Sequence, residues 1–169
     1  MSRKNIKGVI ADTIGYTGVV TLSTRVRGKE VKLATMHNNG GWPLFDFLAD
    51  CLVGNFDTAK IARPNRILLL NIDDSNYITK ANDTGFIPLT SVPEKVYNDS
   101  EGIVKYRFTI PQDYFVGTNF NAVGLYTGTA TDADVENYAA FCYIGDKISI
   151  SDLKISSVLL LDWELHISN

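Results

Sequence analysis

Residues 160–169 read Leu-Leu-Asp-Trp-Glu-Leu-His-Ile-Ser-Asn and carry the clearest structural pattern in the chain. From Leu161 onward every second residue is apolar, and the residues between them are polar. Because successive side chains of a β-strand point to opposite faces, this alternation predicts a strand with one buried and one solvated face. We therefore expect this segment to be part of the core, through Leu161, Trp163, Leu165 and Ile167.

A β-hairpin is predicted around the two-residue loop Arg27–Gly28. Apolar and polar residues alternate on both sides of this loop, and glycine supplies the positive φ that tight hairpin turns require. With this loop, Leu22 is expected opposite Leu33, and Arg25 opposite Glu30. Both are favourable cross-strand pairs, so the predicted register is self-consistent.

One short helix is predicted near residues 43–53. Pro43 suits a first helical turn, Gly54 suits the end of the helix, and apolar residues recur at three- and four-residue spacing. This apolar stripe is expected to pack against a sheet and consists of Leu44, Phe45, Leu48, Cys51 and Leu52.

The other apolar segments predict strands separated by loops rich in Gly, Pro, Asp and Asn. Residues 67–72 are almost continuously apolar, which indicates a strand buried on both faces, and Gly124 inside another strand suggests a bulge or a close backbone approach. Further strands are expected at 103–110, 120–126, 138–144 and 156–167, with short ones at 86–89 and 147–150. The chain is thus predicted to be a single mainly β domain, residues 1–169, folded as a jelly-roll-like antiparallel β-sandwich of about seven or eight strands.

Composition and charge limit the function classes. The chain has 169 residues, 45% of them apolar, which suffices for a core without disulfide staples. A net charge of −3 argues against direct nucleic-acid binding, which needs a concentrated basic surface. Neither a secretory signal nor an apolar run of the roughly 20 residues that cross a bilayer is visible. Synthesis in a cytoplasm, without a membrane partner, is therefore expected.

Side chains suited to catalysis or metal binding are few. His37 and His166 are the only histidines, whereas a zinc site combines several His, Cys or acidic ligands at recurrent spacing. Cys51 and Cys142 have apolar neighbours, which predicts two buried thiols; a disulfide between them is the alternative. The acidic loops 73–76 and 131–134 lack the spacing of a calcium-binding loop, and no Gly-x-Ser-x-Gly segment exists. The sequence therefore predicts no enzyme, no metal and no cofactor.

Eight residues are candidates for a protein interface. Three lie at the basic tip of the hairpin, and five are aromatic residues in or near loops, where aromatic side chains can anchor an interface, stack on sugar rings or cover the ends of the core. These eight are Arg25, Arg27, Lys29, Tyr77, Phe86, Tyr97, Tyr114 and Phe115. For a sugar site the candidates are Tyr77, Asp83, Asn98 and Tyr114.

Three segments together carry a family resemblance. The first is Met-His-Asn-Asn-Gly at 36–40 with the helix at 44–54 and the strand at 62–69; the second is Phe-Asn-Ala-Val-Gly-Leu-Tyr at 120–126; the third is Trp-Glu-Leu-His-Ile at 163–167. In this order they resemble small virion proteins of tailed bacteriophages. In those proteins a Val-Gly-Leu-Tyr-type strand precedes a strand of small and aromatic residues, here 138–144, and a closing Leu-x-Trp-x-Leu-x-Ile strand.

The resemblance implies a non-enzymatic structural subunit of a virion, made in the host bacterial cytoplasm. Its expected partners are other copies of itself and other virion proteins. A position in the neck or tail, near the head–tail connector, is the first expectation; a head-decoration or head-fibre-base protein is an alternative. The basic hairpin tip and the long loop 73–99 are expected to provide contacts between copies, because a closed ring uses two different surfaces. A carbohydrate- or host-surface-binding β-sandwich module is a further alternative.

Overall fold

The computed structural model describes residues 15–40, 42–57, 63–81, 83, 85–97, 101–115, 120–144 and 158–168. These residues form ten strands, the helix α1 (Trp42–Leu52), a short helix at Gln112–Phe115 and a 3-10 turn at Asp132–Asp134. The strands are β1 (Gly15–Val26), β2 (Lys29–Gly40), β3 (Pro64–Ile72), β4 (Ile78–Lys80), β5 (Ile87–Pro88), β6 (Glu94–Tyr97), β7 (Glu101–Ile110), β8 (Ala122–Thr127), β9 (Ala140–Tyr143) and β10 (Leu159–Ser168).

The strands build two antiparallel sheets of five strands, consistent with a sandwich, so the predicted fold class is confirmed. The first sheet has the order β2-β1-β10-β7-β6; the second has the order β4-β3-β8-β9, with β5 also paired to β3. Asn39 and Gly40 at the end of β2 pair with β9, which joins the two sheets. The structure adds the short strands β4 and β6, which the sequence assigned to loops, and the strand expected at 147–150 lies outside the described residues.

The main core lies between the two sheets. Trp163 and Leu161 of β10 are fully buried, as the alternation predicts, whereas Ile167 is only half-buried. The second sheet contributes Ile67 and Leu69 of β3 to the same cluster. Because one cluster draws side chains from both sheets, neither sheet completes its buried surface alone.

The second sheet is covered on its outer face as well. Leu68 and Leu70 of β3 point away from the main core, and they pack in a second cluster with Tyr126 and with residues of the connection between β8 and β9. This confirms the expectation that β3 is buried on both faces. The outer face of the first sheet carries charged residues, and it also includes Leu160, which is only 2% exposed.

The hairpin has the predicted two-residue turn but a different register beyond it. Arg27 (φ 51°) and Gly28 (φ 79°) both adopt positive φ, and Arg25 lies opposite Glu30, as predicted. The expected pairing of Leu22 with Leu33 is wrong, because a bulge makes Leu22 face Ala34 instead. An extra residue in one strand of a pair is the defining feature of a β-bulge, and here it lets both Leu33 and Ala34 pack against the core.

Helix α1 starts one residue before the predicted position and packs against the core through Phe47 and Leu48. The expected stripe is wrong at Leu52, which is 81% exposed. The helical period tells which residues share a face, but the core ends before the last turn of the helix is covered. At Gly124 the close neighbours are side chains rather than backbone, since a Cβ there would lie 2.5 Å from the Tyr126 ring.

Candidate interaction surfaces

A ladder of ion pairs crosses the outer face of the first sheet. Arg107 of β7 lies directly opposite Asp162 of β10, and its Nε and Nη2 donate to the two Asp162 carboxylate oxygens at 2.6 and 2.7 Å. The same guanidinium reaches Glu30 of β2 at 3.1 Å. Two register positions along, on the same face of the sheet, Lys105 contacts Glu164 at 2.9 Å. The ladder therefore connects three strands across the sheet by charge.

The pairing stabilises the charged form of both cations. The hydrogen bond to Asp162, the carboxylate field and Glu30 raise the pKa of Arg107, and the hydrogen bond to Glu164 raises the pKa of Lys105. A hollow of 390 Å³ lies over these residues, between them and Val92 and Glu94.

The hairpin tip projects beyond the core. Along one face of β1, Leu22 is fully buried and Thr24 is 6% exposed, while Val26 is 46% exposed. Val31, opposite Thr24 on the same face, is 44% exposed. Lys29 is opposite Val26 and also exposed. In the part of the chain that the structure describes, neither Arg27 nor Lys29 forms an ion pair, so the tip combines apolar side chains with unpaired positive charge.

A second exposed apolar group lies at the end of α1 and in the residues that follow. Leu52, Val53 and Phe56 are 81%, 79% and 71% exposed. Asp50 and Asp57 border this group, and Asp50 accepts a hydrogen bond from Asn55. The backbone turns there because Gly54 adopts φ 78°, which glycine tolerates without strain. We call Asp50, Leu52, Val53, Phe56 and Asp57 the helix-end surface.

The aromatic candidates fall into different environments. Tyr77 is 60% exposed beside β4, so it is available for contact. Phe115 is 3% exposed and belongs to the main core, which is a correction to its place among the surface candidates. Tyr114 is partly buried against that core. Phe86 packs edge-on against Tyr126 at 5.2 Å. The interpretation that such aromatic residues cover the core therefore fits Phe115, Tyr114 and Phe86.

The other candidates are only partly described. Tyr97 ends β6, but its side chain lies outside the described part, as does Asn98. Arg25, like Arg27 and Lys29, is exposed, and it contacts Glu30 at 3.7 Å. Asp83 is exposed. The structure thus brings together the three basic candidates on the hairpin, while Tyr77 stands on a different element.

The loops considered for cations hold their carboxylates by local hydrogen bonds. Asp73 accepts from the Ser75 hydroxyl at 2.6 Å and from the Ser75 and Tyr77 amides, and these bonds lower its pKa. Asp134 accepts from the backbone amide and hydroxyl of Thr131, which lower its pKa. Within the described ranges, no group of three or more His, Cys, Asp or Glu side chains is arranged to hold a metal ion.

Both thiols are free. Cys142 is fully buried on β9, as predicted, and its burial raises its pKa to about 12. Cys51 is half-buried on α1 rather than fully buried. Among the helices that the structure describes, none has the length and apolar character needed to cross a membrane.

Sequence reasoning missed the ladder and the helix-end surface. The signal for the ladder was present: Lys105 and Arg107 occupy the polar positions of β7, and Asp162 and Glu164 the polar positions of β10. Placing β7 beside β10 would have set these opposite charges against each other. The helix-end surface had a weaker signal, since Phe56 continues an apolar run past Gly54.

No protein-family model, no curated protein and no solved structure matches this chain.

Proposed function

We propose that this protein is a non-enzymatic structural subunit of a tailed-phage virion, assembled in several copies in the neck or tail through protein–protein contacts. The observation that carries this proposal is the helix-end surface, where Leu52, Val53 and Phe56 stand more than two-thirds exposed within a few residues of one another. Contiguous exposed apolar side chains with a polar border are characteristic of protein interaction sites.

The segments that resemble phage virion proteins also support the proposal. They coincide with the end of β2 and with α1, β3, β8 and β10. Four of these elements are strands of the two sheets, and α1 is the helix whose end carries the exposed surface. The partners of this role are further copies of the chain and other virion proteins. A head-decoration position is the nearest alternative within the same class.

Immunogold electron microscopy tests the virion role directly. Antibodies raised against the purified chain are applied to phage particles released by the strain that encodes it. Labelling of the neck or tail, with the chain present in several copies per particle, is expected. Labelling of the head surface would move the subunit to a decoration position. Particles that lack the chain altogether would contradict the proposal.

A carbohydrate-binding module is the second candidate function, and the exposure of Tyr77 favours it. Tyr77 is 60% exposed beside the turn that Asp73 organises, and an exposed aromatic ring can stack on a sugar. Binding of the purified chain on a glycan array, lost in Tyr77→Ala and retained in Val92→Ala, would support it. Val92 is the matched control because it is apolar and 89% exposed.

A further inference from the structure

We infer that the hairpin tip of one copy docks on the helix-end surface of the next copy, in a head-to-tail contact. The inference rests on the proposed assembly of several copies and names the two surfaces that would meet. The hairpin-tip surface consists of Val26, Arg27, Lys29 and Val31.

The two surfaces are complementary in both polarity and charge. Val26 and Val31 offer half-exposed aliphatic side chains, and Arg27 and Lys29 surround them with positive charge that no described carboxylate pairs. The helix-end surface carries the opposite charge beside its apolar residues in the chain, through the exposed Asp57 and the half-buried Asp50. Complementary charge around an apolar contact steers association and fixes its register.

The contact must join different molecules. Val26 and Val31 are 46% and 44% exposed and Leu52 is 81% exposed, so the two surfaces do not cover each other within one chain. The hairpin tip lies at the start of β2, whereas the helix-end surface follows α1, which begins after the end of β2.

A head-to-tail contact has a structural consequence. Because it uses two different surfaces, each copy that binds leaves one tip and one helix end free, so further copies add until a ring closes or a filament grows. A two-fold dimer could form the same contact twice, tip on helix end and helix end on tip, and would then leave neither surface free. Growth beyond the dimer in light scattering therefore distinguishes the head-to-tail arrangement from the closed dimer.

Cross-linking tests the contact between two chains that each carry one introduced, exposed cysteine in addition to the fully buried Cys142. The first chain carries Cys51→Ser and Lys29→Cys; the second carries Cys51→Ser and Asp57→Cys. Under mild oxidation, we expect disulfide-linked dimers in the mixture at a yield at least tenfold above that of either chain alone, with peptide mapping joining residues 29 and 57. A chain with Cys51→Ser and Val92→Cys replaces the second chain as the control. Equal yields in the mixture, the control and the single chains would overturn the inference.

Charge reversal gives an independent measurement by light scattering across concentration. Lys29→Glu and Asp57→Lys are each expected to weaken self-association about tenfold. The double variant is expected to recover most of the lost affinity. Phe56→Ser should weaken association without lowering the Tm, because Phe56 is 71% exposed. A wild-type chain that stays monomeric together with cysteine variants that form no 29–57 cross-link, or a double variant that associates more weakly than both single ones, would contradict the contact.

The two proposals fail in different ways. Labelled virions together with the absence of a 29–57 cross-link would leave the virion role standing and overturn the head-to-tail contact. A specific 29–57 cross-link together with particles that lack the chain would do the opposite.

Discussion

Trp163 is the largest side chain in the main core, and it has no solvent exposure. Replacing it by alanine removes a buried indole and leaves a cavity, so we expect Trp163→Ala to lower the free energy of unfolding by about 3–5 kcal/mol. Its Nε1 has no hydrogen-bond partner in the described structure. Trp163→Phe removes this unsatisfied donor and keeps a ring, so it should cost clearly less. Urea denaturation of both variants measures the difference; wild-type stability of Trp163→Ala would show that the site is not core.

Arg107 holds two carboxylates from different strands, at 2.6 Å for Asp162 and 3.1 Å for Glu30. Its side chain is 43% exposed, so solvent screening limits the contribution, and we expect Arg107→Met to cost about 1 kcal/mol at low salt. The cost should shrink in 1 M NaCl, where the screening length falls to about 3 Å. Urea denaturation at both salt concentrations measures it, with Arg27→Met as the control. A loss of unfolding free energy that does not depend on salt would show that the effect comes from packing of the Arg107 side chain and not from its charge.

The burial of Cys142 makes the stability of the fold depend on pH. Its pKa is raised to about 12 in the folded chain, whereas an unfolded cysteine loses its proton near pH 8.5. Between these values the folded state binds more protons than the unfolded state, so stability should fall as pH rises above about 8.5. Cys142→Ala should remove this slope, and thermal melting from pH 7 to pH 10 measures it. Cys51→Ser, at the half-buried thiol, is the matched control; an unchanged slope in Cys142→Ala would contradict the assignment.

At the scale of elements, the turn Arg27–Gly28 determines how the first hairpin closes. Both residues have positive φ, the geometry in which Asn-Gly is strongly preferred. We expect Arg27→Asn to stabilise the fold by about 0.5 kcal/mol. Gly28→Ala should cost about 1–2 kcal/mol, because its φ of 79° is strained for a residue with a Cβ. A Cβ at Gly28 meets no atom within 4 Å, so any loss measured by thermal melting reports backbone strain alone.

The elements that the sequence predicts well are those with a local signal. The alternation in β10 and the turn chemistry at Gly28 depend on neighbouring residues, and both appear in the structure as expected. β4 and β6 were missed because these strands are three and four residues long and exist through pairing with β3 and β7, which a local pattern does not contain. The bulge at Leu22 and the exposure of Leu52 depend on where the core ends, which is likewise a property of the assembled sheets.

At the scale of the whole molecule, the two sheets are expected to unfold together. β2 pairs with strands of both sheets, and the main core includes Trp163 from the first sheet and Cys142 from the second. A single cooperative transition follows if neither sheet retains its buried surface without the other. Each sheet also offers its own probe: the fluorescence of Trp163, isolated in a Trp42→Phe background, and the reactivity of the Cys142 thiol, isolated in a Cys51→Ser background.

The expected outcome is that both probes change at the same urea concentration and give the same m value. An m value that accounts for the exposure of both sheets would support the single domain that the sequence predicts, because m scales with the surface exposed on unfolding. If the Cys142 thiol became reactive at a lower urea concentration than the Trp163 transition, the second sheet would unfold separately, and β2 would then act as a connection between two domains. Adding Trp163→Ala sharpens the test: in one cooperative unit this change in the first sheet must lower the urea midpoint of Cys142 reactivity in the second.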